Sequence, residues 1–170
     1  MNMSNGKQQG YLLIEAMVAM GVLTTSVLGI FALMSQSIKL TRVVDDQYVG
    51  TYLAAEGVEI TKNLLDANTV GGVVWNNGGF ASAGCYELDV NSDSLPGAGC
   101  PETALRLKNS VYSYDPTGTV TGFSRSVNIS PIIDAADGTT QDGVRVISTV
   151  KWAGGGSQIT LEDKFYNWHK

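Results

Sequence analysis

Few residues in this chain are equipped for chemistry, and their spacing narrows what that chemistry could be. The 170 residues include two cysteines, Cys85 and Cys100, and one histidine, His169. Fourteen residues stand between the cysteines, which is not the close paired spacing of a structural zinc site. The pair reads as a disulfide, with two free buried thiols as the rival. Gly84, Gly97 and Gly99 beside the cysteines suggest a loop that needs a staple more than a core strand. Closing a loop of about fifteen residues contributes on the order of 3 kcal/mol by chain entropy, and such a bond persists in an oxidising compartment such as a periplasm. His169 is one residue from the last position, where no catalytic triad can be built around it. The chain is therefore not expected to be an enzyme, and no cofactor is called for. Asp134, Asp137 and Asp142 share one Gly-containing loop and are candidate oxygen ligands for Ca²⁺. Their spacing departs from the EF-hand loop, so a plain acidic turn is the competing reading. Asn128-Ile129-Ser130 matches the glycosylation acceptor triplet with Pro131 directly after it, and is read as chance.

Glu15 is the group that folding does not explain. Nineteen residues from Ala16 to Met34 carry no charge, and at 1.5 Å per residue they nearly span a hydrocarbon core of about 30 Å. A secretory signal peptide has a short apolar centre followed by a small-residue cleavage site. Here Leu23, Val27, Phe31 and Met34 run on without a break into a polar helical pattern. A carboxylate at the centre of such a helix costs roughly 2.5–3.5 kcal/mol on insertion scales, so an ionisable group in it is a functional hypothesis by default. Glu15 is four residues from Tyr11, about 6 Å along a helix, and can stay near the membrane interface.

Gly10, Tyr11, the apolar Leu12 to Ile14, Glu15 and the uncharged run form a compound pattern at one place in the chain. This segment resembles the class III signal of type IV pilins and type II secretion pseudopilins. The resemblance implies that a prepilin peptidase cuts after Gly10 and N-methylates Tyr11, and that Glu15 serves filament assembly. It is strong over about 25 residues and weaker to about Leu65. Major pilins often carry a proline near the position of Ala32, and Gly29 is the one flexible point near it here, which tilts the likeness towards a minor pilin or pseudopilin. The stretch from FSRSVNIS through VRVISTVKW to FYNW is more loosely similar to minor pilins of the PilV type and pseudopilins of the GspI type. The partners implied are the prepilin peptidase, other pilin or pseudopilin subunits, an inner-membrane assembly platform and membrane lipid.

Five segments are expected: a leader over 1–10, a transmembrane or filament-core helix over 11–34, an amphipathic continuation over 35–68, a Gly-rich loop with the disulfide over 69–103, and an antiparallel sheet over 104–170. Leu40, Val44, Tyr48, Ala55, Val58 and Leu65 recur at helical steps, with Asp45, Glu59 and Lys62 on the polar face. Trp75 and Phe80 are expected to pin the loop to the domain. Strands are expected over Ala104 to Tyr114 and Thr119 to Ile129, joined through Asp115-Pro116-Thr117-Gly118, and then from Gly143 and from Gln158. About four strands and one long helix without βαβ alternation make an α+β fold, and the resemblance implies the pilin-like version of it.

Lys7 and the amino terminus face Lys39 and Arg42 across the apolar run, so charge does not set its orientation. The disulfide places the C-terminal part outside the cytoplasm, on a single-pass anchor in the inner membrane and then in a periplasmic or surface filament. A rival from another class is an anchored adhesin or binding module that never polymerises, and Glu15 at its offset from Gly10 counts against it. A DNA-uptake pilin is the third reading. The net charge is −5, and beyond Lys7 ten basic residues face sixteen acidic ones, so no nucleic acid is expected to bind; a basic patch would have to be built from Arg106, Lys108 and Arg125.

Overall fold

The computed structural model describes the backbone of residues 5–167 and the side chains of residues 11–167. One helix, α1, runs Asn5–Val70. Six strands follow: β1 Gly84–Tyr86, β2 Ala104–Lys108, β3 Val111–Ser113, β4 Thr119–Ile133, β5 Gln141–Trp152 and β6 Ser157–Tyr166. The chain divides into two compact units, Met1–Asp45 and Asp46–Lys170. The first consists, as far as it is described, of helix alone.

In the second unit the sheet order is β3-β2-β4-β5-β6, with β1 also pairing β4, and every pairing is antiparallel. This is the expected α+β arrangement, a long helix on an antiparallel sheet, with more strands than the sequence suggested. The run 104–114 is not one strand. Asn109 and Ser110 both adopt positive φ (51° and 64°), the requirement of a two-residue hairpin turn that fits strand twist, and they fold β3 back on β2. Asp115-Pro116-Thr117-Gly118 then turns as expected, Gly118 N–H donating to Asp115 O at 3.1 Å and Thr117 N–H to Asp115 Oδ1 at 2.8 Å. The following strand passes Pro131 and ends at Ile133. Because β1 pairs only with Val127, Asn128 and Ile129, Pro131 falls where β4 has β5 alone beside it, a place where a missing N–H is tolerated.

The helix face that meets the sheet matches the expected stripe at Leu65 and at the partly buried Val58, but departs from it at Tyr48 and Ala55. Gly50, Leu53, Ala54, Gly57, Thr61 and Leu65 are buried, whereas Ala55 is exposed and Tyr48 is 63% exposed. Small residues hold this face because the sheet comes close. A Cβ on Gly50 would lie 2.9 Å from the Trp152 ring, and one on Gly57 would lie 2.5 Å from Ser148 Oγ. Opposite, Val144, Val146, Ser148, Val150 and Trp152 alternate inward along β5 without a break. Ser148 interrupts the apolar pattern in sequence but not in space. Two apolar clusters result, one around Leu65, Phe80, Leu88, Val127, Ile129, Val144 and Val146, the other around Leu53, Leu105, Val150 and Trp152.

Arg125 stands in the inward row of β4 with Val127 and Ile129 and is fully buried. Its guanidinium is well satisfied. Nε and Nη2 donate to Leu88 O, while Nη1 donates to Leu53 O at 3.0 Å and to Glu56 Oε2 at 2.8 Å. A buried charge is tolerated only with such pairing and hydrogen bonding. Glu56 is thus the helix carboxylate that forms an ion pair, and Glu59 and Lys62 are simply exposed. The Tyr114 hydroxyl donates to Arg125 O at 3.0 Å, and burial pushes that phenol above its ordinary range, with the Arg125 charge opposing.

Candidate functional site

Gly10 belongs to the helical backbone of α1, but its surroundings lie outside the described residues, as does His169. Tyr11 is 77% exposed. Along the face that contains it, Ile14, Glu15, Val18 and Ala19 follow at steps of three and four and together with Tyr11 line a shallow, mostly apolar depression. Among the described residues Glu15 has no hydrogen-bond or ion-pair partner. The segment beyond it is apolar all round: Leu23, Leu28, Ile30, Phe31 and Leu33 are each more than 60% exposed and point in every direction about the axis. A helix with no polar face is one that lipid or other protein covers.

The remaining polar side chains of this segment are satisfied within the helix. Thr24 donates to Met20 O at 2.9 Å, Thr25 to Gly21 O at 3.0 Å and Ser26 to Val22 O at 2.7 Å. With the backbone ladder closed as well, nothing from Ala16 to Met34 needs water, the condition a spanning segment must meet. The most apolar window of Tyr11–Val70 has a mean hydropathy of 2.1, so this helix is long and apolar enough to cross a membrane. Glu15 is then the single charged side chain from Tyr11 to Met34.

Cys85 and Cys100 are joined in a disulfide, with Cα atoms 5.6 Å apart. The expectation that a loop carries the bond holds for Cys100 and is corrected for Cys85, the middle residue of β1, in register with Asn128 of β4. Three strand residues among so many glycines carry too little pattern to be read beforehand. Gly99 N–H donates to Cys85 O at 2.7 Å, so the bond and the backbone together close the 86–99 segment onto the sheet. Within the long connection Phe80 is buried and Trp75 packs on the same cluster, as expected of anchors. Tyr86 and Leu88, which the sequence did not single out, are buried there too.

The acidic loop is organised by its own backbone. Asp134 Oδ1 accepts from Ala136 N–H at 2.8 Å, and Asp137 Oδ1 accepts from Thr139 and Thr140 N–H, both at 2.9 Å. The Thr140 hydroxyl also donates to Asp137, and these bonds, that hydroxyl first, hold its carboxyl down at about 2. Asp142, expected in the same loop, is instead the second residue of β5, and its carbonyl accepts from Asn167 N–H at 2.8 Å. Among the described residues no group of three His, Cys, Asp or Glu is placed to hold a metal ion.

No basic patch forms from Arg106, Lys108 and Arg125. Arg125 is inside the domain, the Arg106 guanidinium donates to Pro116 O and Gly118 O at 3.1 Å, and Lys108 pairs with Asp115 at 2.6 Å. The Lys108 ammonium, with Thr117, holds the Asp115 carboxyl well below the usual carboxylate range. Asn128 is exposed near the middle of β4, flanked by Cys85 and Ile147. Compared with known proteins, the chain matches no family model, no curated protein and no solved structure.

Proposed function

We propose that the chain is a type IV pilin-like subunit, a minor pilin or pseudopilin, that is inserted in the inner membrane, cut between Gly10 and Tyr11, N-methylated on Tyr11 and built into a filament through its N-terminal helix. The observation that carries this reading is one carboxylate, Glu15, without a partner among the described residues, one helical turn beyond the Gly10-Tyr11 junction in the otherwise uncharged, exposed and apolar stretch 11–34 of α1. The disulfide supports an oxidising compartment for the globular unit.

The mechanism follows from charge. Cleavage gives Tyr11 a new α-amino group with an ordinary pKa near 8, mostly protonated at neutral pH. Axially staggered neighbours bring Glu15 of one subunit to the Tyr11 amine of the next, and a subunit out of step leaves both charges unpaired in an apolar core. Removing one partner of such a buried pair typically costs about 3–5 kcal/mol. The test is the intact mass and filament content of native and Glu15→Ala protein expressed in the native host. Native protein is expected to lack residues 1–10; the variant is expected to insert and be cut equally well but to be depleted from sheared filaments. A native chain that retains Met1, or a variant incorporated at wild-type levels, refutes the reading.

A further inference from the structure

The connection between α1 and β1 contains Trp75-Asn76-Asn77-Gly78-Gly79-Phe80, two adjacent asparagines in unlike surroundings. Asn76 is half-buried, and its Nδ2 donates to Gln141 Oε1 at 2.8 Å. The Asn77 side chain is exposed and makes no hydrogen bond among the described residues. Its backbone is fixed instead: Asn77 O accepts from Asn68 Nδ2 at 3.0 Å, and Asn77 N–H donates to Val74 O at 2.9 Å. The next residue, Gly78, has φ of 74° and open space where a Cβ would be. A glycine nitrogen is the least shielded of backbone nucleophiles, and glycine alone reaches both halves of backbone space at little cost.

We infer that Asn77-Gly78 is a site of spontaneous covalent modification, at which the chain converts Asn77 to aspartate and isoaspartate with water as the only co-reactant. The Gly78 nitrogen attacks Asn77 Cγ, forming the N–Cγ bond of a five-membered succinimide. The Cγ–Nδ2 bond breaks, and the nitrogen leaves as ammonia with the proton shed by the Gly78 amide. Water then adds to one of the two ring carbonyls. Opening at Cγ gives aspartate; opening at the main-chain carbon leaves the peptide running through Cγ as isoaspartate. Nothing is oxidised or reduced. Asn76, followed by Asn77 and held by Gln141, lacks both the bare nucleophile and the free amide.

The change falls where the connection is held. Phe80, three residues on, is 2% exposed in the core, and Asn68 holds the loop through Trp75 O and Asn77 O. An isoaspartate lengthens the main chain by one carbon between those two anchors and adds a negative charge to the surface. The modification is a record of the time the folded chain has spent in water, and needs neither enzyme nor filament.

The test is incubation of the folded, disulfide-intact full chain at mildly alkaline pH and 37 °C, beside the unfolded chain, followed by chymotryptic digestion. Cleavage after Trp75 and Phe80 releases residues 76–80, and tandem mass spectrometry locates the amide loss. Expected are loss of amide from Asn77 in the folded chain with Asn76 unchanged, and a product fraction that Asp-N protease does not cut. The Asn77→Gln variant is expected to keep its amide in the same peptide. The inference is overturned if folded Asn77 stays an amide while the unfolded chain converts, or if Asn76 converts as fast.

Discussion

Replacing Gly57 by alanine sets helix propensity against packing, and the local geometry decides the sign. In an exposed helix interior Gly→Ala gains about 1 kcal/mol. At Gly57 the new methyl would lie 2.5 Å from Ser148 Oγ, 3.1 Å from Arg125 Cδ and 3.2 Å from Val127 Cγ2. Ser148, Arg125 and Val127 are all fully buried, and Arg125 cannot retreat without straining its bonds to Leu53, Glu56 and Leu88. Overpacking of this kind costs roughly 1–3 kcal/mol, so the net expectation is a loss of about 1 kcal/mol, or about 3–5 °C in Tm for a unit of this size. The Ser148 hydroxyl is the nearest obstacle and is also buried without a hydrogen-bond partner. Ser148→Ala should therefore be neutral or stabilising by itself. In that background the nearest contacts of Gly57→Ala lie beyond 3 Å, at Arg125 Cδ and Val127 Cγ2, and its penalty should vanish or reverse. A double-mutant cycle by chemical denaturation of the full chain in detergent, read from tryptophan fluorescence, measures the coupling. Gly57→Ala as stable as the parent, or an equal penalty with and without the Ser148 hydroxyl, would refute the close approach of helix and sheet on which the reasoning rests.

Two further outcomes can be checked on the same protein. A non-reduced digest should yield the Cys85 and Cys100 peptides linked, and reduction should cost on the order of 3 kcal/mol of stability; alkylation of both thiols without reduction contradicts this. The Asp137 carboxyl should titrate near 2 by NMR, below its ordinary 3.8, because Thr139 and Thr140 donate to its charged form. Since the folded value is the depressed one, the turn's contribution is complete above about 4 and fades as pH falls towards 2.

The parts legible in the sequence were those whose physics is local and repeated. An uncharged run long enough to span lipid announces itself, as does a glutamate placed inside its edge, and β4, β5 and β6 have enough length for alternation to show. What escaped notice depended on partners far away in the chain. Arg125 reads as a surface charge until Leu53, Glu56 and Leu88 are seen around it. The fit of Gly50 and Gly57 shows only when Trp152 and Ser148 are set against them, and the expected stripe held at Val58 and Leu65 but strayed to exposed positions at Tyr48 and Ala55. The β2–β3 hairpin was hidden because Asn109-Ser110 lacks the glycine that usually marks such a turn.

Arg125 also imposes an order on the birth of the domain. Its guanidinium is matched only when Leu53 and Glu56, 72 and 69 positions earlier, and Leu88, 37 positions earlier, arrive together. A chain emerging from its amino end presents the helix long before the residue that locks it. Until β4 has been delivered, the carbonyl of Leu53 and the carboxylate of Glu56 wait in water beside an apolar face with nothing to close over it. Ribosome-bound or truncated chains that stop short of residue 125 should thus remain loose and protease-sensitive past the helix, and the globular unit should appear in a single late step, not strand by strand.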